Sequence, residues 1–243
     1  MRVRAASNKV GAGGTARSWL KRLLAGFFLV LLLWQGWYLG WVVWWRYVDP
    51  GETSFMTQRL DVLQEKNPKA ALRHRWVPYE KISSHLKRAV VAAEDDKFID
   101  HEGFDWEGIQ KAIEKNQKKG RVVAGGSTIS QQLAKNLFLS GAKTPWRKAQ
   151  EALITVWLEL LWDKRRILEV YLNVVEWGEG VFGAEAAARR YFGTGAGQLS
   201  AEQAARLAVM LPAPRKFEKN PWSAYLDRRT QLILGRMQYS VIP

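Results

Sequence analysis

The sequence predicts an all-helical protein that begins with a single membrane-spanning helix. From Ile82 onward, apolar residues recur every three or four positions, which is the spacing of one face of an α-helix. Residues that cap helix N-termini open several of these segments, and a run of 23 uncharged residues precedes them all. Only residues 121–124 have a strand-like pattern, and it is weak. We find no internal repeat and no second domain boundary in the periodic region.

Composition limits the class of protein. The chain has 243 residues, 47% of them hydrophobic, which is enough for one substantial core and an appendage. It has no cysteine, so disulfides and thiolate metal sites are excluded. The formal net charge is +14, and the body stays strongly basic without the six cations that precede residue 23. This charge favours a polyanionic partner: nucleic acid, anionic lipid or a phosphorylated substrate.

The uncharged run from Leu23 to Trp45 is long enough to cross a bilayer, at about 34 Å for a rise of roughly 1.5 Å per residue. Five tryptophans crowd its C-terminal half, as at a membrane interface. A cleavable signal peptide is disfavoured, because the run is too long and no small-residue cleavage site follows it. Cations precede the span and mixed charges follow it, which predicts a cytoplasmic N-terminus and a body on the other side.

We divide the chain into a basic cytoplasmic tail (1–22) that we expect to be disordered, a transmembrane helix (23–45), a connector (46–69) and one body (70–243). Turn signals mark residues 46–80, and residues 115–121 are expected to form a basic loop. Helices are expected over residues 82–98, 105–113, 128–139, 147–162, 164–175, 183–192, 200–212 and 223–237.

Glu94 is the strongest candidate for acid–base chemistry. It lies where the apolar run Val90–Ala93 meets an acidic segment, so its carboxyl group can be half desolvated. Such an environment raises the pKa of a carboxyl group and suits it to proton transfer. A solvated acidic turn is the ordinary alternative, and composition alone favours it. Asp95 and Asp96 could hold a hard cation beside phosphates, with Mg²⁺ or Mn²⁺ as the candidates.

A second candidate site is the glycine-rich run into a helix at Gly125–Phe138. Free backbone N–H groups at a helix N-terminus bind anions, and Lys135 can share a face with Gln131 or Gln132. A capped core helix with a lysine reaching the surface is about equally consistent, and Gln131 fits a purely capping role. The three histidines have no paired spacing, which argues against a zinc enzyme.

A third candidate is the pair Arg147 and Glu151, spaced i,i+4 at the start of an apolar helix. An ordinary surface ion pair is the alternative to a buried or cleft-facing carboxylate. Two carboxylates, a basic anion cradle and a membrane anchor together suit an enzyme that moves sugar from a lipid-linked phosphate donor. A diphosphate leaving group needs cations, and a hydroxyl acceptor needs a base.

Four long motifs carry a family resemblance. They are E-D-x-x-F-x-x-H-x-G-F from Glu94, G-G-S-T-I-S-Q-Q-L-A-K-N-L-F from Gly125, R-K-x-x-E from Arg147, and I-L-E-V-Y-L-N continuing to G-A-E-A-A-A-R-R-Y-F. In this order they resemble the peptidoglycan glycosyltransferases, glycosyltransferase family 51, and in particular its monofunctional members from Gram-negative bacteria. The resemblance implies a lysozyme-like domain of two lobes, periplasmic and preceded by a single inner-membrane helix. The implied substrates are lipid II and the nascent glycan chain, joined in β-1,4 linkage with release of undecaprenyl diphosphate.

The resemblance also implies roles for individual residues. Glu94 matches the catalytic base, Glu151 the second catalytic glutamate, and Lys135 the lysine that holds the diphosphate. Lys143 stands where members often carry an arginine, so that contact loses the bidentate fork of a guanidinium. Further positions that line the cleft in the family are matched by Ser127, Gln132 and Arg147.

Partners and alternatives complete the expectations. The resemblance implies contact with membrane lipid and with a transpeptidase or other divisome or elongasome proteins, and no nucleic-acid partner. A lysozyme-like lytic enzyme using Glu94 as general acid is the main alternative, although a hydrolase has no diphosphate for the Gly125–Lys135 cradle to bind. A non-enzymatic membrane scaffold that binds anionic polymer is the other.

Overall fold

The structure, a computed structural model, describes residues 12–121 and 125–243. It is 66% helical with 3% strand, which confirms the predicted all-α class with an apolar helix at the N-terminus. The chain divides into two compact units, and the boundary between them falls after Trp41. Residues 122–124, most of the weak strand pattern, lie outside the described residues.

The first unit is formed by helix α1, Ala12–Trp45, whose last turn belongs to the second unit. Among the described residues, one helical segment, Ser18–Trp45, is long and apolar enough to cross a membrane. This is consistent with a single-pass membrane protein. The expectation of a disordered tail through residue 22 is wrong from Ala12 onward, because residues without proline extend a helix that the apolar run nucleates.

The second unit consists of helices and one small sheet. Its α-helices are α2 (Ser54–Lys66), α3 (Ser84–Glu94), α4 (Trp106–Lys119), α5 (Ile129–Phe138), α6 (Pro145–Leu161), α7 (Lys164–Val174), α8 (Ala184–Phe192), α9 (Ala201–Met210), α10 (Pro214–Phe217) and α11 (Ala224–Met237). Strands β1 (Arg73–His74), β2 (Glu176–Gly178) and β3 (Val181–Phe182) form the sheet in the order β1-β3-β2. Strand β3 runs parallel to β1 and antiparallel to β2.

Side-chain caps set the starts of several of these helices, as the sequence predicted. Thr128 and Gln131 form a capping box at the start of α5, and Ser200 and Gln203 form another at α9. Asp163 caps α7 by accepting a hydrogen bond of 2.7 Å from the backbone N–H of Arg166. Because each cap satisfies N–H groups that lack a helical partner, local sequence fixes where these helices begin.

The second unit packs as two groups of helices. In one group α3, α9 and α11 contact each other, and in the other α5 contacts α2, α6 and α7. Fully buried Trp177, Tyr171, Phe98 and Phe182 are among the largest core side chains. Glu94 ends α3 and Gln132 lies on α5, so contact between these side chains joins the two groups.

Several expected boundaries are wrong. The segment 46–80 contains helix α2, which packs against α5, in addition to turns. The basic segment 115–121 is helical through Lys119, because lysines favour a helix and its C-terminal dipole, and Gly120 ends it in a left-handed conformation. The helix expected over 82–98 ends at Glu94, where the Asp95 backbone leaves the helical region. The three strands are too short for any alternation to predict them.

Candidate active site

Glu94 is half-buried at the C-terminal end of α3. Its Oε2 accepts a hydrogen bond of 2.7 Å from Nε2 of Gln132. Burial raises the pKa of the Glu94 carboxyl group, while the Gln132 hydrogen bond and the charge of Lys135 act in the opposite direction. Glu94 therefore has the half-desolvated environment that the sequence predicted, and its role as a base stays a prediction at this point.

Gln132 is held in turn by Tyr171 of α7. The Tyr171 hydroxyl donates a hydrogen bond of 2.9 Å to Oε1 of Gln132. Burial raises the pKa of this phenol well above its usual range, so it remains a donor at neutral pH. Tyr171 was not predicted from the sequence, because a tyrosine within an apolar helix face looks like an ordinary core residue.

The carboxylate of Asp95 makes hydrogen bonds with other groups of the protein. Its Oδ2 accepts a hydrogen bond of 3.0 Å from the backbone N–H of Ile129, and its Oδ1 lies 2.9 Å from Nε2 of His101. Asp96 is exposed and pairs with Arg236 at 3.1 Å. The described part of the chain has no group of three His, Asp or Glu side chains placed to hold a metal. A divalent cation stays a prediction.

Lys135 lies three residues after Gln132 on α5 and is half-buried, close to the ring of Phe55. Burial lowers the pKa of Lys135, and the negative charge of Glu151 raises it. Gln131 points to the cap, where its Oε1 accepts a hydrogen bond of 3.1 Å from the backbone N–H of Thr128. Lys135 therefore shares its helix face with Gln132 and not with Gln131.

Glu151 is buried on α6 with 3% exposure, and cations contact both of its carboxylate oxygens. Arg147 donates to Oε2 and Lys148 to Oε1. Lys148 also lies 3.3 Å from the hydroxyl of exposed Ser127. The carboxylate of Glu151 is therefore buried and paired with Arg147, and the alternative of an ordinary surface ion pair is wrong. The contact of Lys148 was not predicted from the sequence, although its i,i+3 spacing to Glu151 was a usable signal.

Lys143 is exposed in the loop that precedes α6. Its place in the chain, before Arg147, is the one that the sequence analysis assigned to a substrate contact. The structure gives it no polar contact that would test this role, and the role stays a prediction.

Two cavities flank the contact between Glu94 and Gln132. The smaller, of about 170 Å³, is lined by Glu94 together with Ser127 and the glycine-rich segment before α5. The larger, of about 390 Å³, is lined by Gln132 and Lys135. Its remaining polar lining comes from Arg59, Asn136, Glu176, Arg215 and Lys216.

The larger cavity is cationic and contains one further buried carboxylate. Arg59 donates a hydrogen bond of 2.8 Å to Glu176, and Arg215 lies 4.0 Å from the same carboxylate. Burial raises the pKa of Glu176, and the charge of Arg59 lowers it. Arg59 lies in the expected connector and was not predicted as a site residue, because only tertiary packing brings α2 to the cavity.

This arrangement suits transfer of a group away from an anionic leaving group. A carboxylate with a raised pKa can accept the proton of a hydroxyl, while cations in the adjoining cavity stabilise negative charge that develops there. Residues 61–238 match the family model described as Transglycosylase, and the chain belongs to that family. The match confirms the resemblance found in the sequence.

Individual relatives are similar in sequence to this chain over nearly its whole length. A biosynthetic peptidoglycan transglycosylase from Dechloromonas aromatica is 64% identical over 225 residues, covering 93% of this chain and 97% of the relative. The protein of the same description from Azoarcus sp. is 65% identical with the same coverage. A third, from Nitrosospira multiformis, is 59% identical and covers 93% of this chain and 99% of its own.

Proposed function

We propose that this peptidoglycan glycosyltransferase polymerises lipid II into β-1,4-linked glycan strands and releases undecaprenyl diphosphate. The observation that carries the proposal is the hydrogen bond between Glu94, which lines a small cavity, and Gln132, which lines a cationic cavity. A hydroxyl acceptor and a diphosphate donor need these two environments next to each other.

In the proposed reaction, Glu94 accepts the proton of the 4-hydroxyl of the acceptor's N-acetylglucosamine. That oxygen forms a bond to the anomeric carbon of the donor's muramyl sugar as the carbon–oxygen bond to the diphosphate breaks. The bonding electrons leave with undecaprenyl diphosphate, and the α-linkage becomes β. The raised pKa of Glu94 brings it closer to the working pH, where a general base is most effective.

Cations stabilise the leaving diphosphate in this scheme. Lys135 lines the cationic cavity, where its charge can oppose the negative charge that develops as the bond breaks. Glu151 holds Arg147 and Lys148 through its two oxygens, which positions these cations rather than placing Glu151 itself at the bond that breaks. Lys143, Ser127 and Gln132 remain the other proposed substrate contacts.

The membrane setting follows from the same proposal. We place α1 in the bacterial inner membrane with a cytoplasmic N-terminus and the catalytic unit in the periplasm, where a lipid-linked donor is reached at the membrane surface. Large apolar side chains exposed on α4 and α6, Trp106, Trp146 and Leu160, are consistent with lipid contact. A transpeptidase or another divisome or elongasome protein is the proposed partner, because the glycan product needs cross-linking.

The test is incubation of the detergent-solubilised full chain with labelled lipid II, followed by separation of the products. We expect a ladder of lysozyme-sensitive polymer, and a loss of at least about a hundredfold in rate for Glu94→Gln. Glu202→Gln is the matched control, because Glu202 is exposed on α9 outside both cavities. Full polymerisation by Glu94→Gln would remove Glu94 as the base. Release of fragments from intact sacculi without polymer would favour the lytic alternative.

A further inference from the structure

We propose that Tyr171 is a positioning residue that acts through Gln132 to fix the orientation of Glu94 and to reserve its Oε1 for the acceptor proton. The inference rests on the proposed function, since it assigns a part in that reaction to two side chains behind the base. Tyr171 is fully buried, so it exerts its effect without touching the substrate.

The direction of the hydrogen bonds defines the orientation of Gln132. Its Oε1 can only accept, and the Tyr171 hydroxyl 2.9 Å away donates to it. Its Nε2 can only donate, and therefore faces Oε2 of Glu94 at 2.7 Å. The reverse orientation would bring the amide oxygen against a carboxylate oxygen, and two acceptors repel each other. The ionised Glu94 carboxylate, which can only accept, therefore selects this amide orientation, and the Tyr171 hydroxyl holds the amide in it by donating to Oε1.

The same contact distinguishes the two oxygens of Glu94. Among the described residues, Oε2 receives the hydrogen bond from Gln132, and no protein donor is found for Oε1. The smaller cavity is lined by Glu94, so an acceptor hydroxyl there can donate to Oε1 without displacing a protein contact. When Oε1 takes the proton, the hydrogen bond at Oε2 can persist, and the carboxyl group does not have to rotate during the reaction.

Other charged groups also act on Glu94. Asp95, the next residue, raises the pKa of Glu94 by repulsion, whereas Lys135 on α5 and Arg229 on α11 lower it. These groups remain when the Tyr171 hydroxyl is removed. A change in the pH dependence of the reaction after that removal therefore reports on the Gln132 contact.

The experiment is the pH dependence of kcat/KM for lipid II polymerisation by Tyr171→Phe in the full chain. Phenylalanine keeps the ring and removes the hydroxyl. Without that donor, the amide of Gln132 is held less firmly and stabilises the ionised form of Glu94 less, so the acid limb should move up by about one pH unit. We expect kcat at the plateau to fall about tenfold and KM to change less than about twofold. The matched control is Tyr79→Phe, which removes a buried hydroxyl that donates to the backbone oxygen of Pro243 at 2.6 Å.

A second variant keeps the test independent of folding defects in Tyr171→Phe. Gln132→Met removes the amide and leaves the tyrosine, and it should give a similar displacement of the acid limb. The double variant should add nothing further, because both changes break one connection. An acid limb of Tyr171→Phe that matches those of wild type and Tyr79→Phe, or additive shifts in the double variant, would overturn the inference. Absence of polymer from the wild type would instead refute the proposed function.

Discussion

Replacement of Asp95 by alanine should destabilise the protein strongly, although Asp95 lies beside the proposed base. Its carboxylate is buried with 7% exposure and accepts hydrogen bonds from the Ile129 backbone and from His101. A hydrogen bond to a charged group contributes about 1.5–3 kcal/mol, so two of them predict a loss of about 3–6 kcal/mol in the free energy of unfolding. This is a large share of the roughly 5–15 kcal/mol that separates folded from unfolded domains.

The measurement is urea unfolding of the detergent-solubilised chain, followed by tryptophan fluorescence. Asp96→Ala is the matched control, since the neighbouring carboxylate is about half exposed and its pair with Arg236 should contribute roughly 0–1 kcal/mol. A loss below about 1 kcal/mol in Asp95→Ala would refute the structural role. If the same variant also lost a response to Mg²⁺ or Mn²⁺ that the wild type has, Asp95 would be a metal ligand.

Three further predictions concern the cavity, the base and the backbone. Lys135→Ala should lower kcat/KM for lipid II by about 10²–10³, and Lys135→Arg by less, because it keeps the charge; equal kinetics in all three forms would exclude Lys135 from the leaving-group site. Burial raises the pKa of Glu94 in the folded state, so the folded protein holds this proton at a pH where the unfolded chain has lost it. The free energy of unfolding of the wild type therefore falls as pH rises from the unfolded pKa to the folded pKa. Urea titrations should therefore show Glu94→Gln gaining stability relative to wild type as pH rises above the unfolded pKa of about 4, and a pH-independent difference would contradict this. Gly183 has φ of +82°, and a Cβ there would lie 2.6 Å from the backbone oxygen of Asn173, so Gly183→Ala should cost about 2–4 kcal/mol by urea titration. Gly193→Ala, with φ of +65° and open space around it, should cost only about 1 kcal/mol, and equal losses would refute the clash.

Local sequence was a good guide wherever one or two neighbouring residues decide the structure. The capping boxes at Thr128 and Ser200 predicted the starts of α5 and α9, because each cap needs only a residue three positions further on. Asn173 closes the motif I-L-E-V-Y-L-N, and a polar side chain in so apolar a helix needs hydrogen-bond partners. It is fully buried and exchanges hydrogen bonds with both backbone groups of Val77, at 2.8 and 2.9 Å.

Sequence was a poor guide where a helix end depends on a distant partner. The helix carrying Glu94 ends there because the Asp95 carboxylate is directed to the N-terminus of α5, 34 residues away. Helix α2 was missed because its mixed surface pattern has a weak apolar face, and only Met56 is buried along it. Both the end of α3 and the position of helix α2 depend on contacts with α5, which is distant in the sequence.

The sequence by itself determined the helical class, the apolar N-terminal helix, the family and the short list of chemically able residues, since periodicity, caps and motifs are local properties. Tertiary structure decided which of those residues meet. It set Gln132 against Glu94 and Tyr171 behind Gln132, and it assigned Asp95 to protein donors. It also brought Arg59 to the cavity of Lys135. Such contacts join residues on different elements. Their energies depend on burial, and a segment becomes buried only when the whole chain has packed.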